Sequence, residues 1–192
     1  MKLLLTRHGQ SRWQTEGDSA GPDAALTSLG EEQAHRLGRY LLQHEDLDRI
    51  VTSHLQRARA TADILASYLD LTVEVDEALR EFESWDAGEA PLPVSLWNPT
   101  PATAIHPENQ AFRARVQAAL ERLVGDGTSD ETVLIVAHGG VVGSALREIL
   151  GAPTQRLWTA NTALHCLEWT GEFWLVRYIN RQEHLPRPRR ST

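Results

Sequence analysis

Two apolar runs in this chain end in the same way. Leu3-Leu4-Leu5-Thr6 runs into Arg7-His8-Gly9, and Thr132-Val-Leu-Ile-Val-Ala137 runs into His138-Gly139-Gly140. The second run is β-branched and bounded by turn residues, the marks of a strand, and the first reads as a buried strand. In open α/β sheets ligands bind beyond the carboxyl ends of the strands. If the two strands lie side by side and parallel, both histidines face one crevice.

The rest of the sequence supplies the helices such a sheet needs. Thr27-Ser28 followed by Glu31 and Glu32 starts a helix, with Gly30 tolerated in its first turn and Leu37, Leu41 and Leu42 at helical spacing. A strand is expected over 48–52, and a helix over 55–69 with Ala58, Ala62, Leu65 and Leu69 on one face. A strand over 72–75 and a helix over 109–124 come next. A helix running to about Leu150 follows His138, and strands over 163–169 and 173–179 are joined by a turn at Thr170-Gly171. Strands alternating with helices predict an α/β fold, a three-layer α/β/α sandwich with a mostly parallel central sheet. The 192 residues suit a single domain, expected over 1–185, with 186–192 a frayed, flexible tail. Residues 83–107 break the rhythm with five prolines, Trp85 and Trp97, and read as a lid. Trp158, Trp169 and Trp174 are assigned to the core or to strand faces, and His184 to packing.

Composition narrows the function. The net charge of −7 argues against nucleic acid and against anionic membrane as partners. Cys166 is the single cysteine, so a reducing, cytoplasmic location is expected. No stretch approaches the roughly 20 apolar residues of a membrane span. Neither His-Glu-x-x-His nor a Gly-x-x-x-x-Gly-Lys-Ser/Thr loop occurs. A cysteine phosphatase loop fails as well, because Glu172 stands six residues past Cys166, where an arginine is needed. Every basic residue except Lys2 is arginine, whose planar fork clamps anions bidentately.

Around the two histidines the strand ends gather Arg7, then Arg57 shortly after Thr52-Ser53, and Glu81 in Leu79-Arg80-Glu81. Arginine forks and helix N-termini bind phosphate oxygens, and a histidine can attack phosphorus. The inventory fits a phosphate monoester.

Several spaced motifs carry a family resemblance: Leu-Leu-Leu-Thr-Arg-His-Gly-Gln-Ser-Arg-Trp at the start, Ser53-x-Leu55-x-Arg57-Ala58-x-x-Thr61-Ala62, Leu79-Arg80-Glu81, Val136-Ala137-His138-Gly139-Gly140 and Asn161-Thr162-Ala163-Leu164. The chain resembles the histidine phosphatase superfamily, also called phosphoglycerate mutase-like. The resemblance implies that His8 becomes a phosphohistidine, that Arg7, Arg57 and His138 hold the phosphoryl oxygens, and that Glu81 is the general acid. It further implies that Gly9, Gln10, Ser11, Gln14, Gly139 and Gly140 line the substrate pocket, and that no cofactor or metal is required. The chain departs from the family in having Gln10 where an acid is usual and Gln14 where asparagine is common. Phe82-Glu83-Ser84-Trp85 also departs, which makes Glu83 a rival acid. The stretch from Glu81 to Phe112 carries no lysine or arginine, and Glu83, Asp86, Glu89 and Glu108 make it acidic. The expected activity is hydrolysis of a small phosphorylated metabolite. A mutase-type phosphotransferase and a non-catalytic phospho-ligand binder are the alternatives, and a second copy of the chain is a candidate partner.

Overall fold

The computed structural model describes residues 1–82, 107–152 and 157–191. Its strands form one sheet: β1 (Lys2–Arg7), β2 (Arg49–Thr52), β3 (Val73–Val75), β4 (Thr132–Ala137), β5 (Leu164–Trp169) and β6 (Trp174–Arg181). The order across the sheet is β3-β2-β4-β1-β5-β6. The first four strands in that order are mutually parallel, and β5 and β6 add antiparallel at the β1 edge.

Side-chain alternation builds the three layers. Leu3 and Leu5 of β1, with Val133, Ile135 and Ala137 of β4, face α4 (Pro107–Asp126) and α5 (Gly139–Ile149). Leu4, Leu134 and Val136 point the other way, onto Leu37 and Leu41 of α2 (Ser28–His44) and Ala62 and Leu65 of α3 (Gln56–Leu69). Because successive strand residues point to opposite faces, a run of consecutive apolar residues such as Leu3-Leu4-Leu5 needs cover on both sides. Each fully buried leucine contributes about 1.5–3 kcal/mol. α2 starts at its expected cap, where the Thr27 hydroxyl accepts from the Gly30 N–H at 3.0 Å.

The fold class is the one the alternation predicts, and the foreseen elements fall within two residues of their expected bounds. A short helix, α1 (Arg12–Glu16), was not foreseen. Gly30 is required, and the reading of it as merely tolerated is corrected. A Cβ there would lie 2.0 Å from the Gln10 carbonyl oxygen, and one on Gly9 would lie 2.3 Å from that of Gly30. The loop after β1 and the start of α2 approach backbone to backbone. The tail also differs. Arg187–Arg189 forms a turn of 3₁₀ helix, and Ser191 is hydrogen-bonded to Gln33 and Asn161 where fraying was expected. The expected lid, with Glu83, Trp85 and Trp97, lies outside the described residues, apart from Pro107, which opens α4. Among the described residues no helix is long and apolar enough to cross a membrane.

Candidate active site

Register brings the two His-Gly pairs together. β1 and β4 pair residue for residue from Lys2 opposite Thr132 to Arg7 opposite Ala137, so His8 and His138 follow side by side. The His8 N–H donates to the Ala137 carbonyl at 2.9 Å, and the two imidazoles meet edge to face with centroids 5.2 Å apart. After β1 the chain leaves through α2 on one face of the sheet. After β4 it leaves through α5 on the other face, in the opposite direction along the sheet. Diverging crossovers open a crevice between the two strands, the switch point where α/β sheets bind ligands.

His8 is buried and its tautomer is set locally. Nδ1 lies 2.6 Å from the Gly9 carbonyl oxygen, which only accepts, so Nδ1 carries the proton. Nε2 is then a bare lone pair, and it accepts from Arg57 Nε at 3.2 Å. Burial, with the positive charges of Arg7 and Arg57, holds the ring well below the usual histidine range, so it stays neutral.

Four more groups surround that lone pair. Arg57, in the first turn of α3, is fixed by donating to the Pro22 carbonyl at 2.9 Å. Arg7 donates through Nη1 to the Thr159 carbonyl at 2.9 Å, while its buried Nε has no partner among the described residues. His138 is fully buried, and neither ring nitrogen has a hydrogen-bond partner among the described residues. Its basicity is depressed by burial and then by His8 and the arginines. Glu81 accepts from the Phe82 N–H at 3.0 Å and the Gly140 N–H at 3.1 Å. Burial nevertheless raises its pKa, against the pull of those bonds and of both arginines. Arg115 of α4 supports the segment before Glu81 by donating to the carbonyls of Ala78 at 2.7 Å and Arg80 at 3.1 Å. Arg7, Arg57, His8, Glu81 and His138, widely spaced in sequence, thus share one site.

Two cavities of about 510 and 410 Å³ open on it, sharing Arg7, Trp13 and Glu81 as walls. The larger adds His8, Ser11, Gln14, His54 and Arg57, and the smaller adds Gly139, Gly140, Arg147 and Trp158. Gly9 and Gln10 are not among the walls of these two cavities, and both make hydrogen bonds within the fold. The Gly9 N–H is taken by Thr61 Oγ1 at 3.1 Å, and the Gln10 carboxamide oxygen accepts from the Thr27 hydroxyl at 2.8 Å. Gln14 reaches the cavity wall, but its amide is paired with that of Asn161. The expectation for Trp158 is corrected. It is 56% exposed at the cavity mouth, as Trp13 is at 44%. Its neighbouring backbone is tied at Thr159, whose carbonyl accepts from Arg7. A tryptophan in the sequence does not show whether it faces core or cavity.

Sequence reasoning gave no role to the parts that hold the loop, although Asn161 stands in one of the motifs. Asp23 caps α3 from a distance, accepting from the Gln56 N–H at 2.6 Å. Asn161 Nδ2 donates to the His8 carbonyl at 2.9 Å, and Gln33 Oε1 accepts from the Gln10 N–H at 2.9 Å. Asn161 is aimed by Thr162, which sits in the left-handed region at φ 53° and donates its N–H to the Arg7 carbonyl at 2.9 Å. A β-branched residue there is strained by about 1–3 kcal/mol.

Known proteins resemble the chain in sequence and in fold. The sequence matches the histidine phosphatase superfamily (branch 1) over residues 3–182. It is 32% identical to the uncharacterized phosphatase PhoE of Bacillus subtilis, across 95% of this chain and 96% of that protein. It is 28% identical to the probable phosphoglycerate mutase GpmB of Yersinia enterocolitica, across 98% and 96%. Among solved structures, Bacillus stearothermophilus YhfR superposes with a TM-score of 0.77 at 25% identity, covering 95% of this chain and 98% of that one. The chain belongs to the histidine phosphatase superfamily, branch 1.

Proposed function

We propose that the protein hydrolyses phosphate monoesters through a phosphohistidine on His8. The observation that carries this reading is a set of buried polar atoms without partners among the described residues, Arg7 Nε and the ring nitrogens of His138, around the His8 Nε2 lone pair. A buried donor without a partner costs about 1–3 kcal/mol. Here a phosphoryl oxygen would accept from Arg7 Nε–H and from the one N–H that the neutral His138 ring carries, which offsets the cost.

The chemistry follows. Nε2 attacks phosphorus in line with the leaving oxygen, and the P–O bond breaks as the P–N bond forms. Charge in the transition state spreads over three equatorial oxygens, which Arg7, Arg57 and His138 hold. Glu81, whose pKa burial raises, gives its proton to the departing oxygen and becomes a carboxylate. Water then attacks phosphorus, the same carboxylate takes its proton, and the P–N bond breaks. Phosphate leaves and the Nε2 lone pair is restored. The N-terminal end of α5, at Gly139 and Gly140, adds positive potential beside the phosphoryl group.

Charge favours hydrolysis over the isomerisation named for the mutase relatives. A mutase holds a bisphosphorylated ligand, whereas the sequence from Glu81 to Phe112 brings no basic residue and several acids. The apolar walls at Trp13, Leu55, Phe82 and Trp158 suit a substrate whose leaving group is apolar or carries at most one further charge. Two measurements test the reading: phosphate release from p-nitrophenyl phosphate and phosphoglycerates without added metal, and trapping of a base-stable, acid-labile phosphoenzyme. Expected are release and an adduct that His8→Ala abolishes. Isomerisation of phosphoglycerate with negligible hydrolysis would reassign the protein to the mutases.

A further inference from the structure

We propose that the segment 186–191 is a positioning element for the loop bearing His8, acting through the hydroxyl of Ser191. This rests on the reading of His8 as nucleophile.

The loop is held at two points, and Ser191 joins the holders. Gln33 and Asn161, both fully buried, grip the Gln10 N–H and the His8 carbonyl respectively. A carboxamide can face either way, so each needs partners that fix its direction. Gln33 Oε1 faces an N–H, and its Nε2 faces the Arg189 carbonyl at 2.8 Å, so its orientation is unambiguous. The same Nε2 donates to Ser191 Oγ at 2.8 Å. Asn161 Nδ2 faces the His8 carbonyl, which leaves Oδ1 to accept from Ser191 Oγ at 2.9 Å. The hydroxyl therefore accepts from one amide and donates to the other, and every proton in the chain Gln33 to Ser191 to Asn161 has one direction. Alanine at 191 breaks the chain in the middle. It leaves a buried carbonyl on Asn161 one donor short and a buried NH₂ on Gln33 one acceptor short.

The segment is anchored independently of that hydroxyl. The Asn161 N–H donates to the Ser191 carbonyl at 3.2 Å, and Arg189 pairs with Glu32 of α2 at 3.1 Å. The Asn161 side chain also exchanges two hydrogen bonds with Gln14, whose Oε1 accepts from the Ser11 N–H at 3.0 Å. Loop 8–11 is thus tied at His8, Gln10 and Ser11 to a polar cluster that the segment closes. The phosphate-binding arginines have separate anchors, at Thr159 and Pro22. The device consequently acts on attack geometry more than on phosphate affinity.

The test compares wild type, Ser191→Ala, Ser191→Thr and a chain lacking 186–192, using p-nitrophenyl phosphate turnover and inhibition by inorganic phosphate. Small misplacement of a nucleophile is expensive, so Ser191→Ala is expected to lower kcat by at least about fivefold. The phosphate inhibition constant should stay within about twofold, and Ser191→Thr should recover kcat to within about twofold of wild type. The deletion is expected to lower kcat at least as far; if it does not fold, Ser191→Ala decides. The inference is overturned if Ser191→Ala keeps wild-type kcat, if it loses kcat and phosphate affinity in parallel, or if Ser191→Thr does no better than alanine. A wild type that turns over no phosphomonoester overturns the reading of His8 and this inference with it. An active wild type with an unimpaired Ser191→Ala overturns the inference alone.

Discussion

Arginine is nearly the whole basic complement, and structure sorts its members. Arg12, Arg36, Arg49, Arg59, Arg177 and Arg181 make ion pairs at the surface with neighbouring carboxylates. Such exposed pairs are screened by solvent and add little to stability. Arg7 and Arg57 are different in kind. Both are buried beside His8, form no ion pair with a carboxylate among the described residues, and are held by backbone carbonyls. Their forks are oriented without being neutralised, as an anion site requires. The sharpest prediction at this scale concerns Glu81. Burial raises its pKa, so the acid form persists to higher pH than an exposed glutamate allows. Glu81→Gln is expected to slow alkyl phosphates by about 10²–10⁴-fold and p-nitrophenyl phosphate far less, since nitrophenolate leaves without protonation. Equal losses on both substrates, measured as kcat/KM, would move the acid role elsewhere, with Glu83 next in line.

At the scale of elements, the contact between the loop after β1 and the N-terminus of α2 is the tightest joint near the site. Gly30→Ala places a methyl 2.0 Å from the Gln10 carbonyl oxygen, and backbone on both sides leaves little room to yield. The loop must shift, so turnover is expected to fall by at least about tenfold, with a loss of stability of about 1–3 kcal/mol read from urea unfolding. An active, stable Gly30→Ala chain would show that the joint is slack. The cavity mouth gives a second prediction. Trp158 is exposed beside backbone tied at Thr159, so removing its ring is expected to leave folding intact. Trp158→Ala should raise KM for bulky aryl phosphates by about threefold to tenfold while leaving that for small alkyl phosphates near wild type. A uniform change across both substrate classes would argue against an apolar wall.

At the scale of the whole molecule, acid is the predicted weakness. His165 is fully buried and sits at a pKa of about 4 because burial disfavours its charged form, and His184 is also held near 4. The His165 Nδ1 accepts from the Asn180 N–H at 3.2 Å, so the proton lies on Nε2, toward the Thr159 hydroxyl at 2.8 Å. Protonation would cost that acceptor. The folded pKa lies below the unfolded value of about 6.5, so the stabilisation is complete above about pH 6.5 and drains as pH falls toward 4. Between pH 7 and pH 5 His165 alone is expected to cost roughly 2 kcal/mol. Urea midpoints of wild type and His165→Asn at the two pH values check this. The variant should start less stable and lose less on acidification, and parallel losses would exclude His165 as the source.

The sequence by itself determined the sheet, the helices and the identity of the central residues. Runs of consecutive apolar residues demand cover on both faces, and His-Gly after each of two such strands places both histidines at the strands' carboxyl ends. Those signals are local, so short-range pattern carries them. Only the tertiary structure decided which neighbours fix the site. That Gln10 turns to Thr27 while Gln14 pairs with Asn161, that Gly30 is obligatory, that Trp158 faces the cavity, and that Ser191 returns to the His8 loop all depend on contacts across 17 to 158 residues. A side chain's partner over such a separation is set by the packing of whole layers, and no periodicity in the chain encodes it.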